Sequence, residues 1–284
     1  MPTVSTADGA AIHYEVFGSG YPLVLIAPGG VNSEITFWER SILNPITLFR
    51  TEFRVIGIDQ RHAGESRAPL KPFSYDDAVA DVLSVLDDAG VERAHVWGGC
   101  IGCAYAWHLL ERAPARFSAA VCQDPVGLDE TNSTDVFYRM FEPTFALARE
   151  RGVEAVIASA RENPLFVVNN AGGPFARRIA ADAGFAAEVA ALGTDGYIRL
   201  IEDFRTGIWP PNPPYFTVSE EWMQTCETPV LVIPGNDPFH PTSVGRRVCR
   251  QARHARCLDV DARSPENVDA TVATIRAFLH EHSV

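Results

Sequence analysis

The sequence predicts an α/β fold, in which helices flank a mostly parallel central sheet. Short runs rich in valine, isoleucine and leucine end in turn residues, which is typical of strands buried on both faces. Amphipathic segments of helical period lie between these runs, so strand and helix alternate along the chain. A chain of 284 residues is long enough for one such domain with a smaller inserted one.

The opening strands are predicted to form an antiparallel hairpin. The segment "STADGAAIHYEVFG" alternates apolar and polar residues around a turn at Asp8 and Gly9. Buried parallel strands are expected after it, in the segments "PLVLIAPGG", "FRVIGIDQR", "AHVWGG", "FSAAVCQDP", "PVLVIPGND" and "ARCLDV".

Helices are predicted between and after these strands. The segment "SYDDAVADVLSVLDDAGV" places Val79, Val82 and Leu86 on one face and stops at Gly90. A second helix, "CAYAWHLLERA", follows the fifth predicted strand of the chain. The closing segment "PENVDATVATIRAFLHEH" has one apolar stripe, with Pro265 at its start.

Residues 128–225 break this alternation. They contain the helix-like segments "DVFYRMFEPTFALARERG" and "FARRIAADAGFAAEVAAL" and a proline-rich connector, but no clear strand. We therefore predict a helical lid over residues 128–225 and a core formed by residues 1–127 and 226–284. The aromatic residues of the lid either line an apolar pocket or form the lid's own core; they include Phe137, Phe141, Phe166, Trp209 and Trp222.

The composition restricts the partners of the chain. A net charge of −12 and a pI near 5.1 disfavour binding to nucleic acid or to anionic membranes. The sequence has neither a leader pattern nor an apolar run of membrane-spanning length, so we expect a cytoplasmic protein that acts on a small molecule. No cofactor or metal motif is present, since the six cysteines lack paired zinc spacing. The sequence leaves open whether the chain forms a homo-oligomer.

The segment "GGCIG", Gly98 to Gly102, predicts a nucleophile turn. It joins the strand "AHVW" to a helix, and such a sharp turn presents its middle residue, Cys100, outward at the helix N-terminus, where the thiolate is favoured. The alternatives are a buried structural cysteine and a redox pair with Cys103. We expect Cys103, Cys122 and Cys257 to be buried.

The chain resembles the α/β-hydrolase superfamily over nearly its whole length. "PLVLIAPGG" is similar to the strand before the oxyanion loop, "DQRHAGESRAP" to the loop after the next strand, "GGCIG" to the nucleophile elbow and "PVLVIPGNDPFHP" to the segment carrying the acid. The resemblance implies an acid at Asp237 and an oxyanion hole formed by the N–H groups of Gly29 or Gly30 and of Ile101. A plain flexible strand exit is the alternative for "PGG". The cysteine nucleophile is shared with dienelactone hydrolases.

The histidine base departs from the family pattern. The family places a Gly-His pair before the last helix, but the segment "CLDVDARSPEN" contains no histidine. His240 and His62 remain in suitable loops, and we favour His240 because it lies at the exit of a strand on the same sheet edge as Cys100. Either Asp237 or Asp124 could orient it, although each precedes a proline and could simply form a turn.

Three functions fit these features. The first is a hydrolase in which Cys100 attacks an ester, thioester or lactone of a small apolar substrate and forms an acyl-enzyme. The second is a non-hydrolytic lyase or cyclase of a biosynthetic pathway that uses the same residues as acid and base. The third is an inactive binding protein that keeps the fold.

Overall fold

An eight-stranded sheet forms the centre of the chain, in the order β1-β2-β4-β3-β5-β6-β7-β8. A computed structural model describes residues 2–283. The first strand pair and the pair β2 and β4 are antiparallel, and all later pairs are parallel. The strands are β1 (Thr3–Ser5), β2 (Ala11–Phe17), β3 (Tyr21–Ile26), β4 (Phe53–Ile58), β5 (Ala94–Gly99), β6 (Phe117–Gln123), β7 (Val230–Ile233) and β8 (Ala255–Cys257).

The described residues contain twelve α-helices, which either flank the sheet or form the long connection between β6 and β7. Those outside the connection are α1 (Pro45–Phe49), α2 (Tyr75–Asp88), α3 (Gly102–Arg112), α11 (Thr242–Gln251) and α12 (Val268–Glu281). Those within it, here called the helical segment, are α4 (Thr134–Tyr138), α5 (Glu142–Arg151), α6 (Val153–Glu162), α7 (Ala176–Ala181), α8 (Ala183–Ala191), α9 (Gly193–Ile208) and α10 (Glu220–Met223).

The predicted α/β fold is confirmed, because the runs of apolar residues form the expected strands. Every residue of β5 and of β6 is buried, as central strands covered on both faces require. One apolar cluster packs the sheet against α2, α3 and the helical segment, and a second packs its other face against α1 and α12. The opening hairpin is also confirmed, with Thr3 opposite His13.

Three predicted helices differ from the structure at their ends or in their continuity. Pro143 stands at the beginning of α5, so the first helix of the connection is broken into α4, a short 3₁₀ turn and α5. Asp182 accepts a hydrogen bond from the Phe185 N–H and begins α8, which divides the next predicted helix. The last helix begins at Val268 rather than Pro265.

The predicted boundaries of the lid, 128–225, enclose α4 to α10 and contain no strand among the residues that the structure describes. The role of this segment as a lid stays a prediction. No helix within residues 2–283 combines the length and the apolar character needed to cross a bilayer.

The cysteines are mostly placed as predicted. Cys103 and Cys122 are fully buried, which confirms the expectation for both. The expectation for Cys257 is wrong, because β8 is an edge strand and leaves this side chain exposed. Cys257 forms a disulfide with Cys249, which joins β8 to α11 across a Cα–Cα distance of 5.6 Å.

Candidate active site

The turn between β5 and α3 presents Cys100 to a cavity. Cys100 has a φ of 56°, a left-handed conformation that is rare outside glycine. The flanking glycines are needed because a larger residue would clash. A Cβ on Gly98 would stand 2.3 Å from the Gly102 carbonyl oxygen, and a Cβ on Gly102 would stand 2.5 Å from the Ile26 carbonyl oxygen. The sequence Gly-x-Cys-x-Gly therefore produces a strained turn whose thiol is half-buried and reaches the cavity.

The cavity in front of Cys100 has a volume of about 600 Å³ and mostly apolar walls. The helical segment contributes aromatic side chains to these walls, which agrees with the first of the two alternatives for Phe137, Phe141, Phe166 and Trp209. Trp222 does not line this cavity; it lies in α10 and packs against the apolar core, which agrees with the second alternative for the aromatic residues. The volume lies within the usual range for small-molecule sites.

Backbone N–H groups line the cavity beside the thiol. Gly29, Gly30 and Ile101 all contribute to its wall. Within residues 2–283 their N–H groups donate no hydrogen bond to another protein group. Gly29 and Gly30 have φ values of 114° and 59°, and a Cβ on Gly30 would stand 2.7 Å from the Ile208 side chain. Glycine therefore allows this backbone to approach both the cavity and the helical segment.

His240 lines the same cavity and is held by Asp237. Its Nδ1 lies 2.8 Å and 2.9 Å from the two carboxylate oxygens of Asp237, although only three residues separate them. The His240 backbone N–H donates to Asp237 Oδ1 at 3.0 Å, so a tight turn fixes both residues. Gly235 makes room for this turn, since a Cβ there would stand 2.4 Å from the His240 Cβ.

The electrostatics of the turn favour a charged imidazole. Burial opposes the imidazolium, but the neighbouring Cys100 thiolate and the Asp237 carboxylate outweigh it and raise the pKa of His240 to about 9. Burial likewise opposes the Asp237 carboxylate, but the hydrogen bond from His240 outweighs it and lowers the pKa of Asp237. The Nε2 atom of His240 is buried and has no hydrogen-bond partner among the described groups.

Asp124 lies close to this turn but does not bind His240. Its Oδ2 forms an ion pair with Arg263 Nη2 at 2.7 Å, and its φ of 49° is left-handed. Arg263 Nη1 also lies 3.4 Å from Asp237 Oδ2. The structure therefore pairs the imidazole with Asp237 and the guanidinium with Asp124. The sequence analysis missed Arg263, although this residue stands in the segment where the histidine of the family was expected.

His62, the second candidate base, lies elsewhere. It is buried against Phe175 and Phe185, with ring centroids 5.3 and 5.4 Å away. It lines a separate, smaller cavity that does not include Cys100. Burial and the charge of Arg61 lower the pKa of His62 to about 4, so this imidazole is neutral at physiological pH. The geometry brings Cys100 together with His240 and not with His62.

The free cysteines differ in exposure, which predicts a difference in reactivity. Of the four free cysteines, Cys100 is half-buried, whereas Cys103, Cys122 and Cys226 are buried. The Cys103 thiol also donates to the Gly98 carbonyl oxygen at 3.2 Å. We expect iodoacetamide to modify Cys100 first and stoichiometrically in the folded protein, as peptide mapping by mass spectrometry would show. Earlier modification of any other cysteine would contradict this expectation.

The residues that the structure describes contain no cluster of three or more histidine, cysteine, aspartate or glutamate side chains arranged to hold a metal ion. The cavity brings together the Cys100 thiol and the His240 imidazole, and Asp237 holds that imidazole from behind. This set can perform nucleophilic and acid–base steps.

Comparison with known proteins bears on the fold and the family. The family model for the alpha/beta hydrolase fold matches residues 22–183. The 3-oxoadipate enol-lactonase 2 of Acinetobacter baylyi is 22% identical over 97% of this chain and 92% of its own. Solved structures of a meta-cleavage product hydrolase from Pseudomonas fluorescens and of an enol-lactonase from Burkholderia xenovorans share the fold. The first has a TM-score of 0.64 at 18% identity and covers 99% of this chain and 98% of its own. The second has a TM-score of 0.63 at 20% identity and covers 98% of this chain and 100% of its own.

The family match spans more than half of the chain and includes the first parallel strand, the loop with Gly29 and Gly30 after it, and the Cys100 elbow. Asp237, His240 and the last helix lie outside the matched residues. The order of strands and the strained turn after β5 are those of the same family. The chain belongs to the α/β-hydrolase family of enzymes.

Proposed function

We propose that this hydrolase cleaves an ester, thioester or lactone of a small apolar substrate through an acyl-enzyme on Cys100. The observation that supports this most is the convergence of Cys100, His240 and the N–H groups of the oxyanion loop on one cavity. The pairing of His240 Nδ1 with Asp237 leaves Nε2 for proton transfer at the sulfur.

The first half of the proposed reaction acylates the enzyme. The Cys100 thiolate attacks the carbonyl carbon and forms a carbon–sulfur bond, while the carbonyl electron pair moves to the oxygen. That oxygen accepts hydrogen bonds from Ile101 and from Gly29 or Gly30. The intermediate then expels the alcohol or thiol, which takes the proton from His240 Nε2. With a lactone, the leaving hydroxyl stays attached to the acyl chain.

The second half releases the acid. His240 Nε2 removes a proton from a water molecule as its oxygen attacks the thioester carbonyl. The second tetrahedral intermediate breaks the carbon–sulfur bond, which restores the thiolate beside the imidazolium. Asp237 holds the imidazole in one orientation through both halves, because both of its oxygens lie within hydrogen-bonding distance of Nδ1.

The substrate class follows from the walls of the cavity. Aromatic side chains of the helical segment, such as Phe137 and Trp209, stack at 4.2 Å between ring centroids and form an apolar surface. An acyl group with an apolar body would fill this space, whereas a strongly polar one would lose hydration without gaining partners.

A mass-spectrometric experiment tests the proposed function. The protein is incubated with p-nitrophenyl esters, acyl thioesters and lactones of increasing chain length, with Cys100→Ala as the control. We expect release of the acid and, with an activated ester, an added mass equal to the acyl group on the peptide that contains Cys100.

Three results would contradict the proposal. Turnover without an adduct under rapid quenching would favour the non-hydrolytic lyase or cyclase, in which Cys100 and His240 act only as acid and base. Tight binding of such compounds without any turnover would favour the inactive binding protein. An adduct on another cysteine would move the nucleophile away from the elbow.

A further inference from the structure

Arg263 joins the two carboxylates near the base. It lies in the loop between β8 and α12, and its guanidinium spans Asp124 and Asp237, with Nη2 at 2.7 Å from Asp124 Oδ2 and Nη1 at 3.4 Å from Asp237 Oδ2. The side chains of Asp124 and Asp237 are 12% and 33% exposed, and that of Arg263 is 43% exposed. The bridge is therefore partly shielded from solvent rather than free on the surface.

The two oxygens of Asp237 have different partners. Oδ1 accepts the backbone N–H groups of Phe239 and His240, both at 3.0 Å, and the imidazole Nδ1 at 2.8 Å. Oδ2 is the atom that faces Arg263. Oδ2 also lies 2.9 Å from the imidazole Nδ1 but accepts no backbone N–H group of this turn among the described residues, so the guanidinium contacts the less restrained of the two oxygens.

We propose that Arg263 is a positioning residue for His240: it holds the Asp237 carboxylate against the imidazole and neutralises Asp124. This inference rests on the proposed function only in taking His240 as the base. An arginine suits this task because its planar fork can hold two acceptors at once, which a single ammonium group cannot do with the same geometry.

The charged groups around His240 come from four parts of the chain. Cys100 comes from the elbow, Asp237 from the turn of His240 itself, Asp124 from the exit of β6 and Arg263 from the loop before α12. Without the guanidinium, two carboxylates would face the imidazolium with no compensating charge, and they would repel each other. Its removal should therefore raise the proton affinity of His240 and loosen Asp237.

Two variants with opposite expected effects test the proposal. The pKa of His240 is measured in the full chain by NMR titration of ¹³C-labelled histidine, with the His240 signal assigned by its loss in His240→Ala. We expect Arg263→Gln to raise this pKa by roughly half a unit or more. We expect Asp124→Asn to lower it, because Arg263 then turns its whole charge towards Asp237.

The catalytic readout separates charge from geometry. With an ester found active above, Arg263→Gln should lower kcat/KM by about tenfold. Arg263→Lys keeps the positive charge but not the planar guanidinium that can hold two acceptors. Compared with Arg263→Gln, it should bring the pKa of His240 back to the wild-type value and recover the rate only in part. The matched control is Arg246→Gln, which breaks an exposed ion pair with Asp259 without touching Asp237 and should leave both quantities unchanged.

The outcomes that would overturn the inference are specific. They are an unchanged pKa of His240 in Arg263→Gln, a shift of the same sign in Asp124→Asn, or an equal shift in Arg246→Gln, which would indicate a general charge effect. The NMR readout needs no turnover, so failure of the proposed hydrolysis leaves this test intact. Thermal unfolding of each variant confirms that the titrated protein is folded.

Discussion

Replacing Cys100 with alanine is expected to lower kcat by at least about a thousandfold, since the loss of a covalent nucleophile removes both halves of the reaction. The fold should be almost unaffected, because Cys100 is only half-buried and makes no structural hydrogen bond through its sulfur among the described residues. We expect the unfolding temperature to move by no more than about 2 °C. Steady-state kinetics with the active ester and calorimetry check the two expectations.

Cys103 provides the matched control for this variant. It lies one turn further along α3, is fully buried and donates to backbone oxygens. Cys103→Ala should keep turnover and lower the unfolding temperature, which is the reverse of the result for Cys100→Ala. Equal losses of activity in both variants would show that packing of the elbow, rather than the Cys100 sulfur, supports the reaction.

Cys100→Ser tests how the nucleophile is activated. The imidazole Nε2 is not aligned for a regular hydrogen bond at this position, and a serine oxygen reaches less far than a sulfur. A hydroxyl also ionises far less readily than a thiol, so it needs a better-aligned base. We expect the serine variant to be nearly as inactive as the alanine variant. Wild-type kinetics in Cys100→Ser would contradict this and indicate a conventional, well-aligned base.

Much of the fold could be predicted from the sequence because the signals are local. The short, mostly apolar runs of β5 and β6 end in turn residues, which is typical of buried strands. The glycines of the elbow indicate a turn in which a Cβ at Gly98 or Gly102 has no space. The ends of helices were less predictable. The sequence does not show whether Asp182 lies within a helix or before one; in the structure its side chain accepts the Phe185 N–H and caps the start of α8.

The site was only partly predictable because its contacts join distant parts of the chain. Asp237 lies so close to His240 along the sequence that the sequence could not decide which carboxylate orients the imidazole. The turn geometry decides it, because the backbone folds back over Gly235 and brings the carboxylate to Nδ1. The bridge from Arg263 to Asp124 connects two strand exits, which no periodic pattern reveals.

The second large loss of activity is expected on replacing His240, because of the way the structure holds this imidazole. The imidazole is fixed at Nδ1 by Asp237 and is buried at Nε2, so it is the one described histidine that both lines the Cys100 cavity and has a carboxylate to orient it. Losing it removes the proton donor for the leaving group and the base for the incoming water. We therefore expect His240→Ala to lower kcat/KM by about a hundredfold or more.

The pH dependence distinguishes this loss from a general disturbance of the site. Because the pKa of His240 is raised from its ordinary value to about 9, the imidazolium is present below that pH and is lost above it. Protonated His240 is the form that donates to the leaving group, so wild-type kcat/KM should fall as the pH rises through about 9. An ordinary histidine would place this dependence near neutrality, and the thiolate together with Asp237 moves it upward. In His240→Ala the alkaline fall should be absent.

His254→Ala is the control for this experiment, because His254 is an exposed histidine bound to Glu227 outside the cavity. This variant should keep both the rate and the alkaline fall of the wild type. Wild-type rates in His240→Ala would make His62 the remaining candidate for the general base. His62 would then have to leave its contacts with Phe175 and Phe185 to reach the sulfur. A large loss of rate with the alkaline fall preserved would instead mean that His240 supports the shape of the cavity and that another group carries the proton.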